Sequence, residues 1–216
     1  MSSYITLHAI QRVIPPATMP GFRLAYRALK THCLSEGIYS NKFGYLSGIH
    51  LVLLLTRIAV LSPAGSSAQH LLRAFFATYA SWDWVNQIVT IPGLNDEAAT
   101  RYARQQAREP MVILSVHKPT FNKVHYANKH TLAAISASFK RTHERLARGE
   151  AWISVANTGG LYGAALKRFL DQSGFFVKVD VAFWCSSSIK ARAWVGFVQS
   201  RLQHVSRKFS LGQADS

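Results

Sequence analysis

A stripe of positive charge lies near the start of the chain, in residues 21–49, and it is the pattern best suited to binding an anion. Arg23, Arg27 and Lys30 follow one another at intervals of four and three residues, which places them on one face of a helix. The apolar residues at helical spacing on the other face predict that this helix is half-buried. The sequence therefore predicts a cationic stripe on a core helix.

Polar residues and glycines follow this helix and extend the pattern. Gly37 is expected to end the helix in the left-handed conformation, and Tyr39 and Asn41 come next in a short polar loop. A cation, a phenol and an amide beside glycines that allow close approach of the backbone suit a phosphate ligand. An ordinary solvated basic face above a core helix is the competing interpretation, and spacing alone leaves both open.

The acidic residues give no catalytic centre. Phosphoryl transfer with two metal ions needs clustered carboxylates, and the five aspartates contain no Asp-x-Asp pair. Nine histidines are present, but His125 and His130 have no zinc-type spacing to another strong ligand. We expect no catalytic residue and no metal ligand in this sequence.

The net charge indicates a polyanionic partner. The chain has 25 Lys and Arg against 10 Asp and Glu, which gives +15. Residues 1–105 contribute +5, from nine basic and four acidic residues, and residues 106–216 contribute +10, from sixteen and six. Such a surplus attracts phosphates, so nucleic acid is the first candidate and the second half the more basic surface. The apolar run 48–61 is too short to span a bilayer, and we expect no membrane association.

Hydrophobic periodicity predicts two units. Residues 1–105 read as mainly helical, with helices near 3–14, 20–36, 46–62 and 67–79. Residues 92–110 read as a linker or surface excursion. After them the sequence predicts a short β-like run at 111–116, a helix at 130–148, a strand at 175–185 and a last helix to about 209. This order favours a small α/β sandwich over residues 106–216.

The basic residues of the second unit are the predicted RNA-binding set. Four of them lie on the polar side of the helix at 130–148 and one lies on the predicted strand: Lys140, Arg141, Arg145, Arg148 and Lys178. Together with the net charge of +10 in this half of the chain, they predict a surface that binds the phosphates of a nucleic acid.

Several blocks, in order, resemble the eukaryotic-type nuclear poly(A) polymerases. The blocks are FRLAYRALKTHCLSEGIYSNKFGYLSGIHLVLLLTRIAVLSP, FFATYASWDW, EPMVILSVHKPTFNKVHYANKHTLAAISASFKR and ARAWVGFVQSRLQHV. The similarity around these blocks covers nearly the whole chain, about residues 4 to 207. The resemblance implies an α+β protein with a mainly helical central domain, followed by a ferredoxin-like, RRM-like α/β sandwich that is incomplete at its C-terminus.

The resemblance also implies residue roles at the nucleotide site. Lys30 would contact the triphosphate of ATP, Tyr39 and Asn41 would line the nucleotide pocket, and Gly48 and Ile49 would let the backbone approach the nucleotide. Two positions depart from the family: Leu34 stands where many members have a second Lys, and Ser47 replaces the first Gly of a Gly-Gly pair. These departures put the strength of the nucleotide site in question.

The leading hypothesis is a poly(A) polymerase-like chain whose parent reaction transfers AMP from ATP to RNA 3′ ends in the nucleus. The family's catalytic domain, with its Gly-Ser motif and three carboxylates, is not recognised in the sequence. Mg²⁺ or Mn²⁺ is therefore expected only with a catalytic domain supplied in cis or in trans, and the chain alone should be inactive. The alternative is a non-catalytic RNA-binding paralogue or a basic ribonucleoprotein subunit.

Overall fold

The structure, a computed structural model, describes residues 2–105, 108–152 and 187–211, together with residues 180, 182 and 184. Within these residues the chain forms seven α-helices: α1 (Ser2–Val13), α2 (Met19–Ser35), α3 (Gly48–Leu61), α4 (Ala68–Ala80), α5 (Asp96–Arg101), α6 (Lys129–Ala147) and α7 (Ser188–Leu211). Two 3-10 turns, Pro16–Thr18 and Asn41–Phe43, connect the early helices. None of the described helices is both long enough and apolar enough to cross a bilayer.

Local signals in the sequence set the ends of several helices. Pro15 and the 3-10 turn after it stop α1. Gly37, with a φ of +69°, turns the chain away after α2, as expected for a left-handed residue at the end of a helix. Ser67 caps α4, since its hydroxyl accepts a hydrogen bond of 3.2 Å from the amide of His70. The predictions for α1 to α4 are therefore confirmed to within two residues.

The core lies between α2, α3, α4 and α6. Its centre is aromatic: the ring centroids of Phe75, Phe76 and Phe139 lie 5.2–5.6 Å apart with edge-to-face geometry, an arrangement favoured by the ring quadrupoles. Tyr79 is fully buried beside them and donates its hydroxyl to the carbonyl of Leu54 at 3.0 Å. This bond lets a phenol pack inside the core without losing a hydrogen bond.

Helix α6 shares this core with the first half of the chain. It packs against α4, and Thr142 and the imidazole of His32 on α2 form a hydrogen bond of 3.1 Å in the buried interface. Phe139 belongs to the same cluster of buried side chains as Phe75. The core therefore extends beyond residue 105 and includes α6. The division of the chain into domains at 1–105 and 106–216 stays a prediction.

The segment 92–110 is not a loose linker where the structure describes it. The guanidinium of Arg104 donates to the carbonyls of Trp84 and Glu109, both at 2.7 Å. The carboxylate of Glu109 accepts from the hydroxyl of Tyr102 at 2.6 Å. The polar composition of this segment suggested a surface excursion, but its guanidinium donates to backbone carbonyls and its carboxylate accepts from neighbouring donors.

Extended structure in the described residues consists of isolated bridges. The run 111–114 is buried and forms two single β-bridges, Val89 to Ile113 and Leu114 to Asn122, without extending into a strand among the described residues. The predicted strand at 175–185 lies outside the described residues, apart from residues 180, 182 and 184. The mainly helical central part is confirmed, and the ferredoxin-like unit stays a prediction.

Candidate anion-binding site

The turn between α2 and α3 is held by its own backbone hydrogen bonds. The amide of Ser40 donates to the carbonyl of Leu46 at 2.9 Å, and the amide of Leu46 donates to the carbonyl of Ile38 at 3.3 Å. These bonds close the bridge between Tyr39 and Leu46. They bring Tyr39, at the end of α2, next to the first turn of α3.

Gly44 lets this turn pack against a distant loop. Its φ is +83°, and a Cβ at this position would lie 2.9 Å from the carbonyl oxygen of Tyr126. A side chain would therefore be strained and would also clash with backbone. The glycine anchors the turn against the loop that leads into α6.

The first turn of α3 is fixed by Ser47 and His50. The amide of Ser47 donates to Nδ1 of His50 at 3.1 Å, so Nδ1 carries no proton and Nε2 must be the protonated nitrogen. Nε2 then donates to the carbonyl of Lys123 at 3.0 Å. Burial lowers the pKa of His50 to about 4, which keeps the imidazole neutral and the two bonds intact.

Three of the predicted nucleotide-site residues lie together at this turn. The ammonium of Lys30 lies 5.8 Å from the ring centroid of Tyr39. The hydroxyl of Tyr39 lies 3.3 Å from the point that a Cβ of Gly48 would occupy. The helix end, the turn and the start of α3 therefore bring Lys30, Tyr39 and Gly48 to one place.

This place offers hydrogen-bond donors that have no partner within residues 2–105, 108–152 and 187–211. Gly48 and Ile49 are the first two residues of α3, and no hydrogen bond to either amide forms among the described residues. Lys30 forms no ion pair within the same part of the chain. An exposed lysine over the ring of Tyr39, whose hydroxyl lies against Gly48, and two amides without described partners at a helix N-terminus favour an anionic ligand, because the helix dipole adds positive potential there.

The other two predicted residues lie at the edge of this group. Asn41 is exposed and opens the 3-10 turn Asn41–Phe43, which α7 approaches. The side chain of Ile49 is half-buried and packs against the core.

A second phenol, Tyr26, was missed from the sequence. Its hydroxyl lies 2.8 Å from the point that a Cβ of Gly48 would occupy, closer than that of Tyr39. Tyr26 precedes Lys30 by four residues, so the two share a face of α2. Helical spacing could have identified it once Lys30 was chosen.

The predicted RNA-binding residues on α6 are largely paired with carboxylates. Arg141 lies 3.1 Å from Glu36, Arg145 lies 2.7 Å from Glu150, and Arg148 lies 3.4 Å from the same carboxylate. Lys140 is exposed and forms no ion pair within the described residues. Lys178 lies outside the described residues.

Comparison with known proteins identifies the family. Residues 21–152, more than half of the chain, match the family described as the poly(A) polymerase central domain. The chain belongs to this family. The residues that form the turn and the first turn of α3 lie within the matched range, so the predicted resemblance is confirmed.

Proteins named poly(A) polymerase are similar to this chain over most of its length. A poly(A) polymerase of Dictyostelium discoideum is 27% identical over 202 residues, which is 90% of this chain and 23% of that protein. Nuclear poly(A) polymerase 4 of Arabidopsis thaliana is 24% identical over 87% of this chain and 25% of its own length. A poly(A) polymerase of Entamoeba histolytica is 27% identical over 62% of this chain. The chain thus spans about a quarter of the length of these relatives.

Proposed function

We propose that this chain binds ATP as the central part of a poly(A) polymerase, which transfers AMP from ATP to the 3′ end of RNA. The observation that carries the proposal is the convergence of Lys30, Tyr39 and Gly48 on the first turn of α3. Family membership supports the same assignment because the matched range contains this turn.

Each group has a distinct task in this proposal. The ammonium of Lys30 contacts the triphosphate, and the free amides of Gly48 and Ile49 donate to its oxygens. Tyr39 lines the nucleotide pocket and supports Lys30 through its ring face. Asn41 lines the pocket from the turn. All of these groups bind and orient the nucleotide, and none of them is positioned to perform the chemistry.

Divalent metal is used by the family reaction, but the described residues do not fit it. No group of three or more His, Cys, Asp or Glu side chains converges among them. We therefore assign the metal to a catalytic domain acting in cis or in trans. The purified chain with ATP, Mg²⁺ and an RNA primer should add no tail, and template-independent extension of the primer would overturn this assignment.

ATP binding by the purified chain tests the proposal directly. Titration calorimetry should show binding that Lys30→Ala weakens about 10-fold or more, since a charge-assisted hydrogen bond contributes about 1.5–3 kcal/mol. Lys129→Ala, an exposed lysine at the start of α6, is the matched control and should bind as the unmodified chain does. Equal affinity of Lys30→Ala and the unmodified chain, or equal affinity for adenosine and ATP, would contradict the proposal.

RNA binding by the wider chain is the second part of the proposal. The net charge of +15 supports it, and Lys140 is the member of the α6 set that carries no carboxylate partner among the described residues. Gel shifts across a salt series should show a steep loss of affinity, because bound phosphates release counterions. RNA binding without ATP binding would favour the alternative, a non-catalytic RNA-binding paralogue or a basic ribonucleoprotein subunit.

The nucleus is the proposed location. Three of the similar Arabidopsis thaliana proteins are named nuclear poly(A) polymerases, at 23–25% identity. Fluorescence microscopy of the tagged full chain should show nuclear signal, and exclusion from the nucleus would contradict the assignment.

A further inference from the structure

Tyr26 is a polar residue of α2 that has no role in the ATP site proposed above. It is half-buried, and it lies one helical turn before Lys30 on the same face. Its ring lines a groove of about 400 Å³ between α1, α2 and α3, together with Arg23 and Arg27. Lys30, Tyr39 and Gly48 are not among the residues that line this groove, so it borders the proposed nucleotide site and does not form it.

The hydroxyl groups of Tyr26 and Tyr39 point at the same spot. A Cβ on Gly48 would lie 2.8 Å from the first and 3.3 Å from the second. The absence of a side chain at residue 48 is therefore what lets both phenols reach the backbone where α3 begins. Glycine is needed at residue 48 for steric reasons, since any Cβ would contact the two hydroxyls. The backbone conformation alone would accept alanine.

Neither hydroxyl has a hydrogen-bond partner in the part of the chain that the structure describes. No hydrogen bond to the side-chain oxygen of Tyr26 or Tyr39 forms among the described residues, whereas the buried Tyr79 in the core has one. Burial raises the pKa of Tyr26, and the nearby Tyr39 raises it further, so the hydroxyl keeps its proton and can donate. Two unused donors beside two free amides and an ammonium define a place for an acceptor atom.

We propose that Tyr26 is a further nucleotide-contacting residue, whose hydroxyl donates a hydrogen bond to a phosphate oxygen of ATP above Gly48. This inference rests on the proposed ATP binding. A phosphate is the fitting group because every polar group at this place can donate, and phosphate oxygens only accept. The adenine and ribose would lie farther along the turn, toward Asn41.

Tyr26→Phe isolates the hydroxyl because it removes one oxygen and leaves the ring in place. We expect ATP affinity to fall about 10-fold, as for the loss of a hydrogen bond to a charged group. Adenosine affinity should not change. The urea midpoint should also not change, since the hydroxyl has no protein partner among the described residues. Tyr4→Phe, on an exposed tyrosine of α1, is the matched control.

The set of variants separates this inference from the proposed function. If Lys30→Ala weakens ATP binding and Tyr26→Phe does not, the inference is wrong and ATP binding stands. If Tyr26→Phe weakens adenosine as much as ATP, the contact is not to phosphate and the inference is overturned. A shift in the urea midpoint without a loss of ATP affinity would show a structural role only, which also overturns it. If the unmodified chain binds no ATP, both proposals fall.

Discussion

The neutral imidazole of His50 makes the stability of this fold depend on pH, and replacing it with glutamine tests this. His50 accepts from the amide of Ser47 and donates to the carbonyl of Lys123, so it must be neutral to make both bonds. Protonation would remove the acceptor and place a cation at the positive end of α3. The charges that face it are those of Lys123 and His125, and both oppose a further positive charge.

The magnitude follows from the two pKa values. The pKa of His50 is about 4 in the fold against an ordinary value of 6.5. Between these values the unfolded chain binds a proton that the folded chain does not, so stability falls as the pH falls. The stabilisation that the fold gains from neutral His50 is fully present above pH 6.5. Below that pH the free energy of unfolding decreases by about 1.4 kcal/mol per pH unit, so that about 2 kcal/mol is lost at pH 5. Below the folded pKa no further loss comes from this residue.

Urea unfolding of the unmodified chain and His50→Gln, at a series of pH values, measures this effect. Glutamine can still accept from the amide of Ser47 as in a capping box, but it leaves the carbonyl of Lys123 unpaired, at a cost of about 1–3 kcal/mol near pH 7. The stability difference between the two proteins should shrink by about 2 kcal/mol on going to pH 5. The exposed His130→Gln is the control and should leave the pH dependence unchanged. Parallel curves for His50→Gln and the unmodified chain would refute the reasoning.

Three further substitutions test the packing that supports the site, each by urea unfolding. Gly44→Ala should lower the free energy of unfolding by more than about 2 kcal/mol, because it adds a clash with the Tyr126 carbonyl to the strain of positive φ; Gly65→Ala, with open space around it, should cost about 1 kcal/mol from strain alone. Equal losses would contradict this. Phe139→Ala should cost about 3–5 kcal/mol, and a loss below about 1 kcal/mol would mean that α6 does not share the core. Arg104→Ala should cost about 1–3 kcal/mol by leaving loop carbonyls unpaired, and no loss would mean that water replaces it.

Local signals in the sequence were sufficient to predict the early helices, and they also led to the residues on which the proposed ATP site is built, which stay a prediction. The ends of α1, α2 and α4 follow from proline, glycine and serine positions, whose conformational preferences act within a few residues. Lys30 and Tyr39 were recognised as a pair suited to an anion because the helix and the turn after it were both readable. Tyr26 could have been found by the same spacing, but an aromatic residue on a half-buried helix is usually a core residue.

Contacts between distant segments were not readable from the sequence. The pairing of Arg141 with Glu36 joins residues far apart in the chain, so the basic side of α6 looked free when it is partly neutralised. The change of hydrophobic period after residue 110 suggested a new unit, although Phe139 packs into the existing core. Periodicity reports which face of a helix is buried and does not report which neighbour buries it.

The proposed nucleotide site would depend on this long-range packing. The first turn of α3 contains the amides of Gly48 and Ile49. The hydrogen bond from His50 to the carbonyl of Lys123 fixes this turn, and the contact of Gly44 with Tyr126 fixes the turn before it. Both supports come from the loop that leads into α6, beyond residue 105. Without that loop the buried Nε2–H of His50 would have no acceptor. An unsatisfied buried donor lowers the free energy of unfolding by about 1–3 kcal/mol. The residues that bind ATP in our proposal therefore form a working site only as part of a core that extends through α6.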